Sequence, residues 1–281
     1  MENQNFKKLL IQKKVPKQIV SQIPRAYDIV GDIIITNIKK DIAKKYKKQI
    51  GESYLEIHKN IKVVLNKKEE HKGVYRTQKM EFLYGEKRKE TILKENNCLI
   101  KVDVEKVFFS PRLANERKRI SELVKPNEKV GVFFAGVGPF ALTIAKNKNV
   151  KEIVAIELNP LAIKYLKENI KINKLENKII PVYGDVKKKA KKYPNYFNRI
   201  IMPLPKSSEL FLDDAIFSVK NNGIIHLYAF VEKRDPYNEI TKKINEKQKQ
   251  KNIKIKIINK KILRSYSPAI IQIVLDLKIK K

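Results

Sequence analysis

The chain has 281 residues, enough for one large or two ordinary domains that bury a proper core. Its 62 Lys and Arg residues outnumber 30 Asp and Glu residues, which leaves a formal net charge of +32 and makes nucleic acid the leading partner class. One cysteine and three scattered histidines exclude an intramolecular disulfide and a metal-ligand cluster, and the lack of a signal peptide or membrane-spanning apolar run predicts a cytoplasmic protein.

The N-terminal part of the chain predicts a helix and a small domain. Residues 1–23 indicate a short basic amphipathic helix that ends before Pro24. Residues 24–106 predict a separate small α+β domain, because their apolar runs are short and interrupted by charged turns. The expected elements are a hairpin around Gly31-Asp32, a Lys-rich helix over 39–50, and strands at 61–65, 79–84 and 99–103.

Residues 107–281 alternate between strands and helices, which predicts an α/β, Rossmann-like domain with a mostly parallel seven-stranded sheet. The expected strands are 129–135, 152–158, 178–183, 199–202, 223–230, 253–262 and 270–277. The expected helices are 113–124, 140–147, 160–173, 208–219 and 236–247. The last two strands have no helix between them, so they should form an antiparallel hairpin at one edge of the sheet.

The most informative stretch is EKVGVFFAGVGP, from Glu128 to Pro139. It predicts a buried strand, a glycine turn at Gly136 and Gly138, and a helix that begins at once. Such a turn lets a ligand approach the backbone closely, and the first N–H groups of the helix point at the same place, so a nucleotide-like cofactor is expected. Two alternatives fit this turn alone: a plain tight turn, or the dinucleotide fingerprint of a dehydrogenase with Glu157 as its ribose-binding acid.

Four features follow successive strands of the predicted sheet: the glycine turn, Glu157, Asp185, and the loop from Met202 to Pro205. The carboxyl ends of parallel strands converge on one crevice, so these features should lie together. Glu157 can accept hydrogen bonds from ribose hydroxyls, and Asp185 can accept one from an adenine amine. Either acid could instead be an ordinary helix N-cap. Together with the glycine turn they favour an adenosine-containing cofactor.

Several motifs resemble one family, the class I S-adenosylmethionine-dependent methyltransferases, and within it the archaeal and eukaryotic enzymes that methylate N1 of guanosine 37 of tRNA. The resemblance runs from about Pro24 to the C-terminus. The matching segments are Gly73–Thr77, Phe109–Arg117, Phe134–Phe140, Asn159-Pro160, Pro203–Lys206 and Ser265–Pro268. The segment FSPRLANER is specific to this group, whereas the glycine turn is not.

The resemblance implies a reaction and a set of roles. Guanine N1 carries a proton, so its methylation needs a base, for which the family points to Glu116, and a cation beside O6, for which it points to Arg76. Pro203 would shape the pocket beside the transferred methyl group. The residues expected to bind S-adenosylmethionine are Phe134, Ala135, Gly136, Val137, Gly138, Pro139, Glu157, Leu158, Asp185, Val186 and Pro203.

The same resemblance implies that the partner is the anticodon loop of tRNA, from which the target base is splayed out. The residues expected to hold tRNA are Arg76, Phe108, Arg112, Arg117, Pro205 and Lys206. Tyr75 and Phe108 are candidates for base stacking, although either could equally be a core aromatic residue. Likewise, Glu116 taken alone could be a helix residue that pairs with a neighbouring arginine. The protein is expected to act as a monomer.

The chain departs from the family at three points. Val132 stands where the family usually has aspartate, and Pro203 stands where many relatives have asparagine. The second departure indicates a broader substrate range, such as additional methylation of C7 of the tricyclic wyosine precursor at the same tRNA position. The 23 residues before Pro24 are too few for the extra N-terminal domain of some relatives, which makes recognition of the tRNA elbow unexpected.

Other functions fit parts of the sequence. An aminocarboxypropyl transferase acting on the wyosine precursor would share the two-domain layout, and a non-catalytic tRNA-binding protein would share the charge. A nicotinamide dehydrogenase explains neither the charge nor the Pro-Leu-Pro loop. The charge itself has a compositional alternative, because abundant Lys, Ile and Asn with scarce Gly are what an A/T-rich genome produces.

Overall fold

The computed structural model describes residues 2–204 and 206–281. The chain divides into two compact units, one made of the residues up to Glu95 with Leu99–Pro111 and the other of Asn96–Cys98 with Arg112–Lys281. The domain limits placed after residues 23 and 106 remain predictions. Within the described residues, every helix is too short or too polar to cross a bilayer.

The N-terminal segment forms two helices where the sequence predicted one. α1 spans Glu2–Gln12 and α2 spans Lys17–Gln22. Between them Lys14 has a left-handed φ of 62°, and Pro16 is the residue before the first helical position of α2. Proline disfavours helical backbone at the residue before it, which explains why the helix is interrupted here.

A four-stranded sheet in the order β1-β2-β3-β4 and a two-stranded hairpin of β5 and β6 follow. The strands are β1 (Asp28–Val30), β2 (Ile33–Thr36), β3 (Val63–Lys67), β4 (Met80–Gly85), β5 (Glu90–Glu95) and β6 (Cys98–Asp103). β1 and β2 form the expected antiparallel pair, and α3 (Lys40–Ile57) continues past the predicted end at residue 50. β5 was missed because its sequence, ETILKE, is largely charged and only partly buried.

The second unit alternates strands and helices as predicted. Its strands are β7 (Lys129–Phe133), β8 (Glu152–Glu157), β9 (Ile179–Tyr183), β10 (Phe197–Met202), β11 (Val219–Glu232), β12 (Lys254–Ser265) and β13 (Ile270–Lys280). Its helices are α4 (Ala114–Leu123), α5 (Pro139–Asn147), α6 (Pro160–Ile172), α7 (Val186–Lys189), α8 (Leu212–Ser218) and α9 (Asn238–Lys251). The short helix α7 was not predicted.

These strands form one seven-stranded sheet in the order β12-β13-β11-β10-β7-β8-β9. Adjacent strands in this sheet are parallel, except that β13 runs antiparallel to both β11 and β12. The predicted Rossmann-like sheet with an antiparallel edge hairpin is therefore confirmed. β13 lies inside that hairpin and β12 is the edge strand, whose many lysines are suited to guarding an unpaired edge.

The direction of strand succession reverses between β7 and β10, which are neighbours in the sheet. At such a switch point the loops after the two strands separate and leave a crevice at their carboxyl ends. The sheet that supports this crevice is buried on both faces, as the strand sequence VGVF at 130–133 and its neighbours require. The glycine turn follows β7 and Pro203 follows β10, so both predicted site segments border the crevice.

Candidate active site

The glycine turn after β7 has a backbone that ordinary residues rarely adopt. Gly136 and Gly138 have φ of 58° and 91°, and Phe134 has φ of 61° without being glycine. Gly138 is the N-cap of α5, and Pro139 occupies its first turn, where a missing N–H costs nothing. A Cβ on Gly138 would lie 2.4 Å from Cδ1 of Leu166. The turn is therefore fixed both by its dihedral angles and by the packing of α6 against it.

Glu157 is the last residue of β8, and its carboxylate stabilises this turn through hydrogen bonds. Its Oε2 accepts a hydrogen bond from the N–H of Gly136 at 2.7 Å, and its Oε1 accepts one from the N–H of Asn159 at 2.7 Å. Burial raises the pKa of Glu157, and the backbone hydrogen bonds offset only part of that rise. Backbone N–H groups of Gly136, Leu158 and Asn159 hydrogen-bond to this carboxylate, whose oxygens have about four lone pairs, so it can still accept from a ligand. A carboxylate that can still accept hydrogen bonds suits a vicinal diol such as that of a ribose. The residues present therefore fit an adenosine-containing cofactor.

The other predicted cofactor residues surround the same turn. The N–H of Ala135 donates to the carbonyl of Ile156 at 2.9 Å, and the carbonyl of Val137 accepts from Nδ2 of Asn169 at 3.0 Å. Leu158 is half-buried after β8, and Val186 is buried at the start of α7. These contacts order the loop backbone, whereas contact with a cofactor stays a prediction for each residue.

Asp185 takes the position that an ordinary helix cap would take. It is the N-cap of α7, and its Oδ1 accepts a hydrogen bond from the N–H of Lys187 at 2.9 Å. The sequence left this capping role open beside a role in binding adenine. The two are compatible, because the cap uses one lone pair of a carboxylate that has about four.

The loop after β10 begins with a tight turn. The N–H of Leu204 donates to the carbonyl of Met202 at 2.8 Å, and Pro203 between them is half-buried. Lys206 is exposed, and the predicted tRNA contact at Pro205 lies outside the described residues. Proline at 203 has no N–H and no side-chain amide, so this position cannot donate the hydrogen bonds of an asparagine.

Glu116 lies in the first turn of α4, where it is 4% exposed, and both of its carboxylate oxygens are held. Arg119 donates from Nε to Oε2 at 2.8 Å and from Nη2 to Oε1 at 2.7 Å. The hydroxyl of Tyr228, from β11, donates to Oε1 at 2.8 Å. Nζ of Lys261 is 4.0 Å from Oε2. Glu116 thus does pair with a neighbouring arginine, but in a buried position and not on the surface.

Behind this carboxylate the charged groups continue across the sheet. Nη1 of Arg119 donates to Oδ2 of Asp276 at 2.8 Å, and Oδ1 of Asp276 lies 2.6 Å from Nδ1 of His226. Nη1 of Arg199 lies 2.8 Å from Nε2 of His226. An arginine can only donate, so Nε2 must accept and the proton of the neutral ring must be on Nδ1, facing Asp276.

The pKa shifts agree with this proton arrangement. Burial lowers the pKa of His226, and the hydrogen bond to Asp276 does not fully offset that effect. For Asp276 burial acts in the opposite sense, but the hydrogen bonds from His226 and Arg119 outweigh it, so the pKa of Asp276 is lowered. The group is thus a neutral histidine between an ionised aspartate and an arginine.

Tyr228 joins the Glu116 cluster to the glycine turn. Its ring is fully buried and meets the ring of Phe140 edge-on, with centroids 5.8 Å apart. Phe140 is the second residue after Gly138. Met202, the last residue of β10, pairs with Leu227, so Tyr228 lies at the level where β10 ends. The candidate base is therefore at the same end of the sheet as the candidate cofactor loop.

The two arginines of the FSPRLANER segment differ in exposure. Arg112 is exposed in the turn before α4, whereas Arg117 is 1% exposed. The guanidinium of Arg117 lies 6.0 Å from the ring centroid of Phe140. Contact with tRNA phosphate or a base edge stays a prediction for both, and Arg117 exposes very little surface for such a contact.

In the first unit, Arg76 and Phe108 lie against each other. The guanidinium of Arg76 lies 4.8 Å from the ring centroid of Phe108, and Arg76 has a left-handed φ of 52°. His71 braces both residues: its Nδ1 is 2.8 Å from the carbonyl oxygen of Arg76, and its ring meets Phe108 edge-on at 5.3 Å. Burial lowers the pKa of His71. Tyr75 beside them is 45% exposed, so it is not a core residue.

The sequence reading missed Arg119, Tyr228, His226 and Asp276. A usable signal was present for Asp276, because aspartate interrupts the apolar run IIQIVLDL of β13. Arg119 follows Glu116 by three residues, a spacing that brings helix side chains together. Within residues 2–204 and 206–281, no group of three or more His, Cys, Asp or Glu side chains is arranged to hold a metal ion.

Two family models match the chain. The model described as TRM5/TYW2 methyltransferase domain matches residues 91–257, and the model described as TYW2 N-terminal domain matches residues 6–88. Together they cover the glycine turn, Glu116 and the Arg76 segment.

Curated relatives carry related names. The tRNA (guanine(37)-N(1))-methyltransferase Trm5b of Pyrococcus abyssi is 39% identical over 94% of this chain and 78% of its own length. The tRNA (guanine(37)-N(1))/4-demethylwyosine(37)-methyltransferase Taw22 of Nanoarchaeum equitans is 36% identical over 79% of this chain and 88% of its own. The tRNA(Phe) (4-demethylwyosine(37)-C(7)) aminocarboxypropyltransferase of Methanocaldococcus jannaschii is 32% identical over 91% of this chain and 98% of its own.

Solved structures share the architecture. A complex of aTrm5 with tRNALeu superposes with a TM-score of 0.84 at 39% identity, covering 99% of this chain and 79% of that one. The TYW2 protein of Pyrococcus horikoshii, in complex with MeSAdo, superposes with a TM-score of 0.84 at 28% identity, covering 99% of both chains.

Proposed function

We propose, from the premise that this chain belongs to the TRM5/TYW2 methyltransferase family, that it transfers a methyl group from S-adenosylmethionine to N1 of guanosine 37 of tRNA. A single observation carries the proposal: Tyr228 touches both Glu116 and Phe140. This link between a buried, oriented carboxylate and the first turn of the helix after Gly138 supports a reaction that removes a proton beside the methyl donor.

In this proposal S-adenosylmethionine, when bound, supplies an electrophilic methyl group, and the protein holds and deprotonates the acceptor. Glu116 accepts the N1 proton through Oε2, since Oε1 already accepts two hydrogen bonds. Glu157 and the backbone of the glycine turn bind the adenosine half of the cofactor. Pro203 forms a rigid edge of the crevice beside the reacting groups. Positioning of this kind is the main contribution that a protein makes to an in-line transfer.

The acceptor side is proposed for the basic residues of both units. Arg76, stacked on Phe108, offsets the charge that develops on O6 as N1 loses its proton. Arg112, Arg117 and Lys206 hold the anticodon loop. The net charge of +32 supports such binding, because each neutralised phosphate releases counterions. We further propose that the protein works as a cytoplasmic monomer.

A second activity is supported by the relatives with wyosine-related names. Taw22 of Nanoarchaeum equitans is named for both guanosine 37 and 4-demethylwyosine, and this chain has proline at 203, where the resemblance leads us to expect asparagine. Methylation of C7 of 4-demethylwyosine is thus the proposed extension. The aminocarboxypropyl transferase alternative is favoured by the match of residues 6–88 to the TYW2 N-terminal domain. Against it, identity to the N1-methyltransferases, at 39% and 42%, exceeds the 32% to that transferase.

The test uses unmodified tRNA with guanosine at position 37 and S-adenosylmethionine labelled either in the methyl group or in the aminocarboxypropyl chain. Products are identified by nucleoside mass spectrometry. Glu116→Gln and Arg76→Ala are compared with Glu128→Gln, which likewise removes the carboxylate of a bidentate pair with an arginine, Arg199. Loss of a general base typically costs 10² to 10⁴ in rate, so Glu116→Gln should lose about that much and Glu128→Gln should not.

The two labels separate the alternatives. N1-methylguanosine that disappears in Glu116→Gln and Arg76→Ala establishes the reaction and both roles. Label that enters only from the aminocarboxypropyl chain, in a parallel reaction with tRNA bearing 4-demethylwyosine, replaces the proposed function by the aminocarboxypropyl transferase alternative. Bound cofactor and bound tRNA with no transfer of either label would leave the non-catalytic tRNA-binding alternative.

A further inference from the structure

One face of the sheet carries three rows of side chains across β11, β13 and β12, set by the strand register. The first row is His226, Asp276 and Asn259; the second is Tyr228, Val274 and Lys261; the third is Phe230, Gln272 and Arg264. Asp276 of the first row accepts a hydrogen bond from Arg119. Tyr228 and Lys261 of the second row adjoin Glu116. Successive rows are two residues apart along each strand, which is roughly 7 Å. The third row is therefore next to the second row, whose Tyr228 and Lys261 adjoin Glu116.

Gln272 in this third row has an orphaned donor. It is 0% exposed, and its Nε2 has no hydrogen-bond partner among the described residues. Its Oε1 accepts from Nε of Arg264 at 2.8 Å. Because arginine can only donate, the oxygen must face Arg264, and the amide cannot be flipped to satisfy the orphan. A buried N–H₂ group without an acceptor is destabilising, and an acceptor atom on a ligand would remove that cost.

An aromatic pair stands beside the orphan. Phe230 is the direct cross-strand partner of Gln272, and the ring of Tyr266 packs on Phe230 with centroids 4.5 Å apart. Tyr266 is 50% exposed although its backbone is fixed, since the N–H groups of Tyr266 and Ser267 both donate to the carbonyl of Ile270. An ordered turn therefore holds a half-exposed aromatic face against Phe230, the cross-strand neighbour of the residue with the buried donor.

We propose that Phe230, Gln272 and Tyr266 form a nucleobase subsite. Tyr266 stacks on the plane of the base, Phe230 supports Tyr266 from behind, and Nε2 of Gln272 donates to a carbonyl or ring nitrogen of the base. Arg264 keeps the amide in the donating orientation. That the ligand is a nucleobase rests on the proposed function, because the tRNA substrate brings unpaired bases to this end of the sheet. The base is either the target guanine or a neighbouring base of the same loop.

The test measures the Kd of unmodified tRNA and of S-adenosylmethionine for Tyr266→Leu and Gln272→Glu. The second variant keeps the acceptor for Arg264 and loses the donor, and the charge that it adds is paired with the Arg264 guanidinium. Phe217→Leu is the matched control, an aromatic residue that is 47% exposed and lies in α8 of the same unit. One base–aromatic stack is worth roughly a 5- to 150-fold change in affinity. The tRNA Kd should rise at least about fivefold in the two subsite variants, while the cofactor Kd and the control stay at wild-type values.

A second arm identifies the base by repeating the measurement with tRNAs that are abasic at position 37 or at a flanking position. The difference between wild type and Tyr266→Leu should vanish for the one tRNA that lacks the stacked base. A difference that persists in every abasic tRNA overturns the subsite, and so do variants that bind as tightly as wild type. If the base-dependent loss is seen but wild type transfers no methyl group, the subsite stands and the proposed function fails. A wild type that binds no tRNA overturns both.

Discussion

Replacing Tyr228 by phenylalanine removes one hydroxyl from the centre of the candidate active site and leaves the ring in place. The ring is fully buried against Phe140, so its packing is kept. What is lost is one hydrogen bond of 2.8 Å to Oε1 of Glu116. Arg119 still holds both carboxylate oxygens, so Glu116 stays ion-paired but can pivot about the guanidinium.

The magnitude follows from the type of hydrogen bond. A hydrogen bond to a charged acceptor contributes about 1.5–3 kcal/mol to stability. Phenylalanine has no hydroxyl, so the substitution leaves no unpaired donor at position 228. We therefore expect the free energy of unfolding to fall by about 1.5–3 kcal/mol. If the same restraint positions the base in the transition state, kcat should fall by roughly 10- to 150-fold while KM for tRNA changes little.

Tyr196→Phe is the matched control for this variant. The hydroxyl of Tyr196 also donates to a glutamate, Oε1 of Glu152, but at the opposite ends of β10 and β8. Both variants are compared by urea unfolding, by S-adenosylmethionine affinity and by single-turnover methyl transfer at saturating tRNA. Stability should fall in both, and kcat only in Tyr228→Phe.

The reasoning is refuted if Tyr228→Phe loses stability as expected but keeps kcat within twofold of wild type. The hydrogen bond would then be structural, and the role of Glu116 would not depend on its orientation by Tyr228. An equal loss of kcat in Tyr196→Phe would also refute it, because the loss would then report general destabilisation.

Three further predictions concern the cofactor loop and the buried histidine. Gly138→Ala forces a Cβ to within 2.4 Å of Leu166 at a φ of 91°, so urea unfolding should show a loss of about 1–3 kcal/mol, and wild-type stability would contradict this. Glu157→Gln loses the carboxylate that holds Gly136 and is proposed to bind ribose, so calorimetry should show roughly 10- to 150-fold weaker S-adenosylmethionine binding; unchanged affinity would remove Glu157 from the cofactor site. The pKa of His226 is lowered in the folded state, so the unfolded state binds more protons below pH 6.5 and stability falls as pH drops, by up to about 1.4 kcal/mol per unit. His226→Gln should lose that part of the slope in urea titrations between pH 7.5 and 5.5, and an identical slope would show that His226 is not neutral when folded.

The local pattern of the sequence was sufficient for most of the fold. Strand β7, the glycine turn and α5 could be located because an apolar run, two glycines and a helix start are adjacent in the chain. β5 could not, because burial of a single residue, Thr91, leaves no alternation to detect in ETILKE. The break at Lys14 was missed because the apolar periodicity continues across it, and only Pro16 signals it.

The candidate site also has a part that the sequence could suggest and a part that depends on the fold. Glu116 and Arg119 are one helical turn apart, so their pairing is a local fact that sequence can suggest. Tyr228 reaches Glu116 from β11, and Asp276 reaches Arg119 from β13, which lies between β11 and β12. Both positions depend on strand pairing over the whole C-terminal half. The unsatisfied amide N–H₂ of Gln272 could not be predicted from the sequence either, because it depends on Arg264 donating to the amide oxygen.

The second carboxylate of the buried cluster has a consequence for the proposed proton transfer. When Glu116 accepts the proton of guanine N1, it stops being the counterion of Arg119, and a largely desolvated arginine without a counterion is costly. Asp276 prevents this, because it also binds Arg119 and its lowered pKa keeps it ionised throughout. His226 in turn holds Asp276 through Nδ1 without adding a charge of its own. The sheet therefore supplies a fixed negative charge behind the base, so that its protonation never leaves Arg119 uncompensated.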